Sequence, residues 1–378
     1  MQKWDARCKR GRVSPFAPLC ILFMSSISIK NIAIKGMAGC VPARVEENKD
    51  YPGMTLEELQ KYIATTGVVR RHCAIHDGSI CTSDLCQKAA EKLLSDLGWE
   101  KNEIDLLIFV SHTTDYKLPA TGIVLQDKMG LPTSCLAFDI TLGCSGFLVG
   151  LGVMGNLMAS GSFRKGLLMV GNTQSEYASP EDRSMKLLLG DAGTVTAIEY
   201  DPTSKDEVNI TFMSDGSGRE FLILPDGGSR NPVNEKSFIM EDCGNGIRRS
   251  RLHEKMIGDE VFSYGAFFVP KLYEEMQAKF DVKPDQVDYL LLHQANKYLC
   301  EKLRKKMKFP PEKAPYNIHE FGNTSGASIP LLMVTELQKE LHDRQLNMIA
   351  ATIGVGFSLG VAQIKTHGGI LVPDLMTI

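Results

Sequence analysis

Short apolar runs of strand length alternate with longer amphipathic runs along nearly the whole chain, and this alternation constrains the fold more than any other feature. Strand-like runs occur at Ile27–Gly36, Leu106–Ser111, Leu136–Ile140, Gly166–Gly171, Val195–Tyr200, Tyr289–His293, Met348–Ile353 and Gly360–Lys365. Helix-like runs occupy Ser83–Leu97, Pro119–Met129, Ser145–Ser160, Asp259–Phe280, Lys297–Met307 and Ile329–Arg344. Such alternation predicts an α/β protein. Two segments also echo each other. Trp99–Val110 reads WEKNEIDLLIFV and Val282–Leu292 reads VKPDQVDYLLL, each an acidic turn, an Asp and then an apolar strand. They lie about 180 residues apart, roughly half the chain, which predicts two similar halves. The break is expected near Asp201–Val208, giving halves 24–200 and 201–378. A chance match of two short segments is the competing reading.

The chain of 378 residues suits one large domain or two medium ones. Its net charge of -3 argues against nucleic acid as the main partner. Ten cysteines are scattered without paired spacing, in a chain too long to need disulfide staples. Reduced thiols, mostly small core residues, and a cytoplasmic setting are expected. Residues 1–23 resemble a signal peptide superficially, because Lys9, Arg10 and Arg12 precede the apolar run Phe16–Phe23. Pro15 and Pro18 sit at the start of that run and no clean small-residue cleavage site follows. This stretch is read as a leader, either disordered or upstream of a true start at Met24. No run reaches the ~20 apolar residues of a membrane helix. Phe147–Ala159 is apolar but short and glycine-rich, and is read as a buried helix.

Four segments carry chemistry. In Asp139–Phe147 a strand ends, Gly143 permits a sharp turn, Cys144 follows and an apolar helix begins. A cysteine at a helix N-terminus has free N–H groups and the helix dipole to favour its thiolate, which is the nucleophilic form. The bland alternative is a small residue fitting a tight crossing. In Leu290–Asn296 a buried strand ends in His293, and strand ends are where sites collect in α/β folds. A neutral imidazole there can donate, accept or shuttle a proton; a core histidine satisfied by backbone is equally plausible. Phe321–Pro330 is a small-residue loop in which Asn323 can offer its amide N–H to a developing oxyanion, or simply cap the next helix. The glycine-rich turn Gly354–Gly360 can aim backbone N–H groups at a reacting carbonyl, although a plain hairpin is commoner.

Together, in this order and spacing, these segments resemble the thiolase superfamily, and within it the β-ketoacyl-[acyl carrier protein] synthase III family. The likeness runs from about Ile27 to the C-terminus and rests on HQAN after the strand, GNTS before a Ser-Ile-Pro helix, and the cysteine in GCSG. Thr66-Gly67 before a basic run, GDEVF at Gly258–Phe262 and LLGDAG at Leu188–Gly193 add to it. The resemblance implies a thiolase-like five-layer αβαβα fold of two pseudo-symmetric halves, usually a homodimer. It implies that Cys144 takes an acyl group from a thioester, on coenzyme A or a carrier. His293 and Asn323 would then polarise a malonyl thioester on acyl carrier protein as carbon dioxide leaves. Backbone N–H groups of Cys144, Gly354, Val355 and Gly356 would hold the oxyanion of acyl transfer. No metal or organic cofactor is implied.

Several positions depart from the family pattern. A Trp and an Arg that clamp the nucleotide of coenzyme A are matched here by Lys61 and Thr65, while Arg183 matches a family arginine near that nucleotide. Leu118 stands where a phenylalanine reaches into the partner's acyl pocket, and Leu189 where the pocket wall is often aromatic. Smaller residues there predict an acyl group bulkier than acetyl. Ser263 replaces a lysine often found after EVF. Asn296, in HQAN, joins Arg183, Leu189 and Leu118 as a substrate-binding candidate. Lys297, Lys302, Arg304, Lys305, Lys306 and Lys308 follow His293 and form a candidate docking surface for the acidic carrier protein, which Arg248, Arg249 and Arg251 could extend; a solvated helix face is the alternative. His72, Cys73, His76, Cys81 and Cys86 fit no standard zinc spacing. Two other functions compete with condensation by decarboxylation. One is ester or amide formation, or non-decarboxylating condensation, on the same fold. The other is a non-catalytic partner subunit, against which all three reactive residues speak.

Overall fold

A computed structural model describes residues 24–378, so the leader expectation for 1–23 lies outside the described residues. The chain opens with β1 (Ser25–Ile29) and β2 (Ile32–Val41), which belong to different sheets. The sequence predicts a single strand here. The structure breaks it at Asn31, whose φ of 62 reverses the chain, a conformation that Asn tolerates better than most residues. The first half continues through α1 (Leu56–Thr66), α2 (Thr82–Leu97), β3 (Leu106–Val110), α3 (Thr121–Lys128), β4 (Leu136–Ile140), α4 (Gly146–Met158), β5 (Lys165–Asn172) and β6 (Ala192–Tyr200). The second comprises β7 (Glu207–Ser214), α5 (Gly258–Phe280), β8 (Tyr289–Leu292), α6 (Lys297–Lys306), α7 (Ser328–Glu336), α8 (Gln338–Asp343), β9 (Leu346–Gly354), β10 (Ser358–Thr366) and β11 (Met376–Thr377). The helix expected over Ile329–Arg344 is interrupted at Leu337. Strand β7 has no counterpart in the sequence reading, which took its start as a break between halves.

A six-stranded sheet has the order β11-β2-β6-β5-β3-β4, and a five-stranded sheet the order β1-β7-β10-β9-β8. Four strands of each match in order and direction. In the first, β2 and β5 flank β6 antiparallel, and β5 pairs parallel with β3. In the second, β7 and β9 flank β10 antiparallel, and β9 pairs parallel with β8. The echoing segments found in the sequence lead into β3 and β8, which hold equivalent places. Each sheet also borrows an edge: β1 pairs with β7, and β11 pairs with β2.

Apolar side chains dictate five layers. Leu85, Ala89 and Leu93 of α2 and Leu125 of α3 cover the outer face of the six-stranded sheet at Leu107, Phe109, Leu167 and Val195. Val269, Leu272 and Met276 of α5 and Leu299 and Leu303 of α6 cover the five-stranded sheet at Leu290, Ile349 and Val361. Between the sheets lie α4 and α7, buried against the inner strand faces from both sides. A helix can fit there only if it is apolar all round, as α4 is. Small residues bring it close: a Cβ on Gly150 would lie 2.8 Å from Leu168. Among the described residues, no helix is long and apolar enough to cross a membrane.

Candidate active site

The two central helices start at the same end of the sandwich. Cys144 immediately precedes the cap of α4, and Asn323 precedes α7 by a short turn. His293 follows β8, as His112 follows β3. Cys144, Asn323 and His112, from the two halves, converge on one cavity, whose lining does not include His293.

Gly143 makes the cysteine turn possible. A Cβ there would come within 2.7 Å of His112 Nδ1 and 3.0 Å of Ser325 Oγ. The Gly146 N–H donates to the Gly143 carbonyl at 2.7 Å and closes the turn into α4. Cys144 Sγ then sits 3.7 Å from Ser325 Oγ. The sequence predicts an activated thiolate, and burial works against it. Burial pushes the Cys144 thiol up to about 11, against a hydrogen bond from Ser325 that favours the anion; the charge of Glu254 pushes it further up. A helix N-terminus contributes roughly 0.3–2 kcal/mol, and one pKa unit is worth about 1.4 kcal/mol, so the dipole does not offset that burial.

Asn323 is pinned by its backbone. Its N–H donates to the Leu188 carbonyl at 2.8 Å, and its own carbonyl accepts from Gly190 N–H at 2.9 Å and Gln174 Nε2 at 2.7 Å. Its Oδ1 accepts from the Ser325 N–H at 2.9 Å, which leaves the Nδ2 amide as the group to face the cavity. The buried Asp191 of LLGDAG steadies this network: it accepts from Ser175 N–H and Oγ and from Ala74 N–H, fixing the loop that carries Gln174. His293 is buried, its N–H bonded to Ala351 O and its Nδ1 2.6 Å from Ser328 Oγ on α7. Burial lowers both His293 and His112 to about 4, so both rings are neutral at neutral pH. The turn Gly354–Gly356 lies against the cysteine helix, since a Cβ on Gly354 would be 3.0 Å from the Ser145 nitrogen.

Cys144, Asn323, Leu189 and Val355 line one narrow cavity of about 30 Å³. Ser325, His112 and Glu254, which the sequence reading passed over, line it too. His112 had a signal, since FVSH ends a strand as LLLH does. Ser325 stood inside a loop already noticed, and its φ of 53 is a strained backbone for a non-glycine residue. Glu254 had none. The cavity is tight, where the small residues at Leu118 and Leu189 predict a roomy one.

Other predicted residues lie elsewhere. Arg183 is at the surface, 3.8 Å from Glu58. Lys61 pairs with Glu57 one turn away, and the Thr65 hydroxyl donates to the Lys61 carbonyl. Asn296 caps α6, its Oδ1 accepting from Leu299 N–H, and does not line the cavity. Leu118 is 83% exposed. On α6 and its exit, Lys297, Lys302, Lys305, Lys306 and Lys308 are exposed. Arg304 is not: it is buried, donating to Glu301 and to the Phe309 carbonyl, and holds the helix exit in place of a partner. Arg248, Arg249 and Arg251 pair with Glu181, Asp182 and Asp226. Among the described residues no group of His, Cys, Asp and Glu is placed to hold a metal, and every cysteine is unpaired.

Known proteins share this chain's sequence and fold. The family described as 3-oxoacyl-[acyl-carrier-protein (ACP)] synthase III matches residues 138–216, around Cys144, and its C-terminal family matches 277–366, around His293 and Asn323. A β-ketoacyl-[acyl-carrier-protein] synthase III of Koribacter versatilis is 29% identical over 89% of this chain and 98% of its own. That of Acholeplasma laidlawii is 30% identical over 88% of this chain and 99% of its own. A solved 3-oxoacyl-(acyl-carrier protein) synthase from Burkholderia xenovorans is 37% identical, with a TM-score of 0.87 over 94% of this chain and 99% of that one. Fold, paired strand ends and full-length likeness together make the chain a member of the β-ketoacyl-[acyl-carrier-protein] synthase III family of the thiolase superfamily, a condensing enzyme of the acyltransferase class.

Proposed function

We propose that the protein joins an acyl thioester to malonyl-[acyl carrier protein] with loss of carbon dioxide, using Cys144, His293 and Asn323. The observation that carries this reading is a shared cavity holding a cysteine at one helix start and an asparagine amide at the other. In the first stage, Cys144 sulfur attacks the acyl carbonyl, its proton passes through neutral His293 to the departing thiol, and an acyl-cysteine remains. Backbone N–H groups of Cys144, Gly354, Val355 and Gly356 hold the oxyanion of this step.

In the second stage, the malonyl thioester oxygen takes hydrogen bonds from Asn323 Nδ2 and His293 Nε2. In this stage the ring carries its proton on Nε2, and the Ser328 hydroxyl, 2.6 Å from Nδ1, bonds either tautomer by donating or accepting. The carboxylate–carbon bond breaks, its electron pair becomes the enolate, and the two donors stabilise the charge as it grows. The enolate carbon attacks the acyl-Cys144 carbonyl, and Cys144 leaves as a thiolate that regains a proton. Every electron stays paired on substrate or sulfur, so no resident cofactor is required.

The exposed lysines of α6 suit an acidic carrier protein, and Arg183 and Leu189 suit contacts to the incoming thioester. The exposed Leu118 suits a homodimer in which it meets the partner. The halves 24–200 and 201–378 act as two repeats interlocked by β1 and β11. The buried, unpaired thiols suit work in the cytoplasm. The test follows intact protein mass and carbon dioxide with acyl donors and malonyl-carrier protein. An acyl adduct, lost in Cys144→Ala, together with carbon dioxide and a β-ketoacyl product is expected. An adduct without carbon dioxide would refute the decarboxylating reaction.

A further inference from the structure

The loop between β7 and α5 lays one acidic residue into the wall opposite the cysteine. Glu254 is fixed from both sides: its N–H donates to the Tyr177 carbonyl at 2.8 Å, and the next two residues pair as a strand with Leu222–Ile223. Its side chain lines the same cavity as Cys144, among Met185, Leu188, Leu189, Leu222 and Met256. Its Oε2 is enclosed and has no hydrogen-bond partner among the described residues. Among the described residues no cation pairs with it either. Burial alone pushes the carboxyl up to about 7. His112 beside it is a neutral ring stacked on Tyr177, with centroids 6.1 Å apart.

Gln174, Asn323 and Ser325 also line the cavity but none bonds Oε2; an enclosed carboxylate oxygen left unbonded is costly, and a group that enters the pocket and bonds to it removes the cost. The decarboxylation and transfer steps give Glu254 no task. From its position we propose that Glu254 is a specificity residue that selects an acyl group carrying a hydroxyl, an assignment that rests on the acyl-Cys144 reading above. A hydroxyl both donates and accepts, so it satisfies the carboxylate and the carboxylic acid alike. With the carboxyl near its midpoint at neutral pH, that matters: a ketone serves only the acid form, an ammonium only the anion, and an alkyl chain neither.

The test measures the rate of Cys144 acylation by intact mass. The donors are N-acetylcysteamine thioesters, which avoid the altered nucleotide clamp. Short, medium and long chains are compared as plain, 3-hydroxy and terminally hydroxylated forms. Leaving a buried polar group unpaired weakens binding by roughly 5- to 150-fold, so at least one hydroxylated donor should outpace its plain partner by that ratio. Glu254→Leu should abolish or reverse the preference. Glu254→Gln, whose amide also donates and accepts, should retain most of it. Equal rates for plain and hydroxylated donors in the wild type, or a preference that survives Glu254→Leu, would overturn the assignment while leaving the condensing reaction intact. No adduct from any donor would instead defeat the acyl-cysteine reading beneath it.

Discussion

Two influences compete at Cys144, and a pH profile of its alkylation decides between them. The helix start and a hydrogen bond from Ser325 favour the thiolate, whereas burial and the charge of Glu254 favour the thiol. Burial raises the group from 9.0 to about 11. A shift of two units makes the thiolate about 100-fold scarcer than for an unperturbed thiol at neutral pH. At pH 7 roughly one molecule in 10⁴ carries it. A raised value means that deprotonation comes late, so reactivity must climb as pH rises. Iodoacetamide modification of the Cys144 peptide, followed by mass spectrometry from pH 6 to pH 10, should increase about tenfold per unit without levelling. The exposed Cys243 reports reagent quality in the same digest. A plateau with its midpoint below pH 8 would show that the helix N-terminus dominates, and would remove the need for His293 to take the thiol proton.

Four further outcomes are expected. Asn323→Ala should spare the acyl adduct and slow carbon dioxide release about 10²- to 10³-fold; equal loss of both stages would make the asparagine structural. Gly143→Ala places a methyl 2.7 Å from His112 Nδ1 and should cost about 1–3 kcal/mol in chemical denaturation together with acylation. An unchanged midpoint would mean that the turn can relax. Arg71, 2% exposed, donates to Asn48 and to the Leu189 carbonyl and pairs with Glu46 at 3.0 Å. Arg71→Leu should destabilise by about 3–5 kcal/mol, read from the same denaturation curve, and loosen the cavity wall at Leu189. The double change Lys302→Glu and Lys305→Glu should raise KM for malonyl-carrier protein several-fold, most at low salt, while small thioesters still acylate Cys144 at the same rate; a salt-independent effect would argue against docking at α6.

The sequence exposed what is local. Cys144, His293 and Asn323 sit where a strand ends or a helix begins, and those ends are written in neighbouring residues. Convergence was harder to see. His112 and Ser325 become site residues only because a tight turn at Gly143 brings two halves of the chain together. Glu254 sits in a loop whose short strand pairs with residues over thirty positions earlier, a pairing that no periodicity announces. Polarity misled at Arg304, where a charged residue on a basic helix is turned inward by Glu301 and a carbonyl. Asn31 shows the opposite case. Its break in an otherwise unbroken alternation was legible in the Lys30-Asn31 pair, but the strand pattern on either side outweighed it.

The borrowed edges impose an order on assembly during synthesis. Strand β1 emerges from the ribosome first but has no partner until β7, nearly two hundred positions on, has been made. The six-stranded sheet keeps an open edge at β2 until Met376 and Thr377 arrive. Until then the nascent chain carries open strand edges near its N-terminus, at β1 until β7 is made and at β2 until the end, and an incomplete cavity, since Asn323 also comes late. That dependence makes the C-terminal strand a point where a small truncation would expose the β2 edge to aggregation.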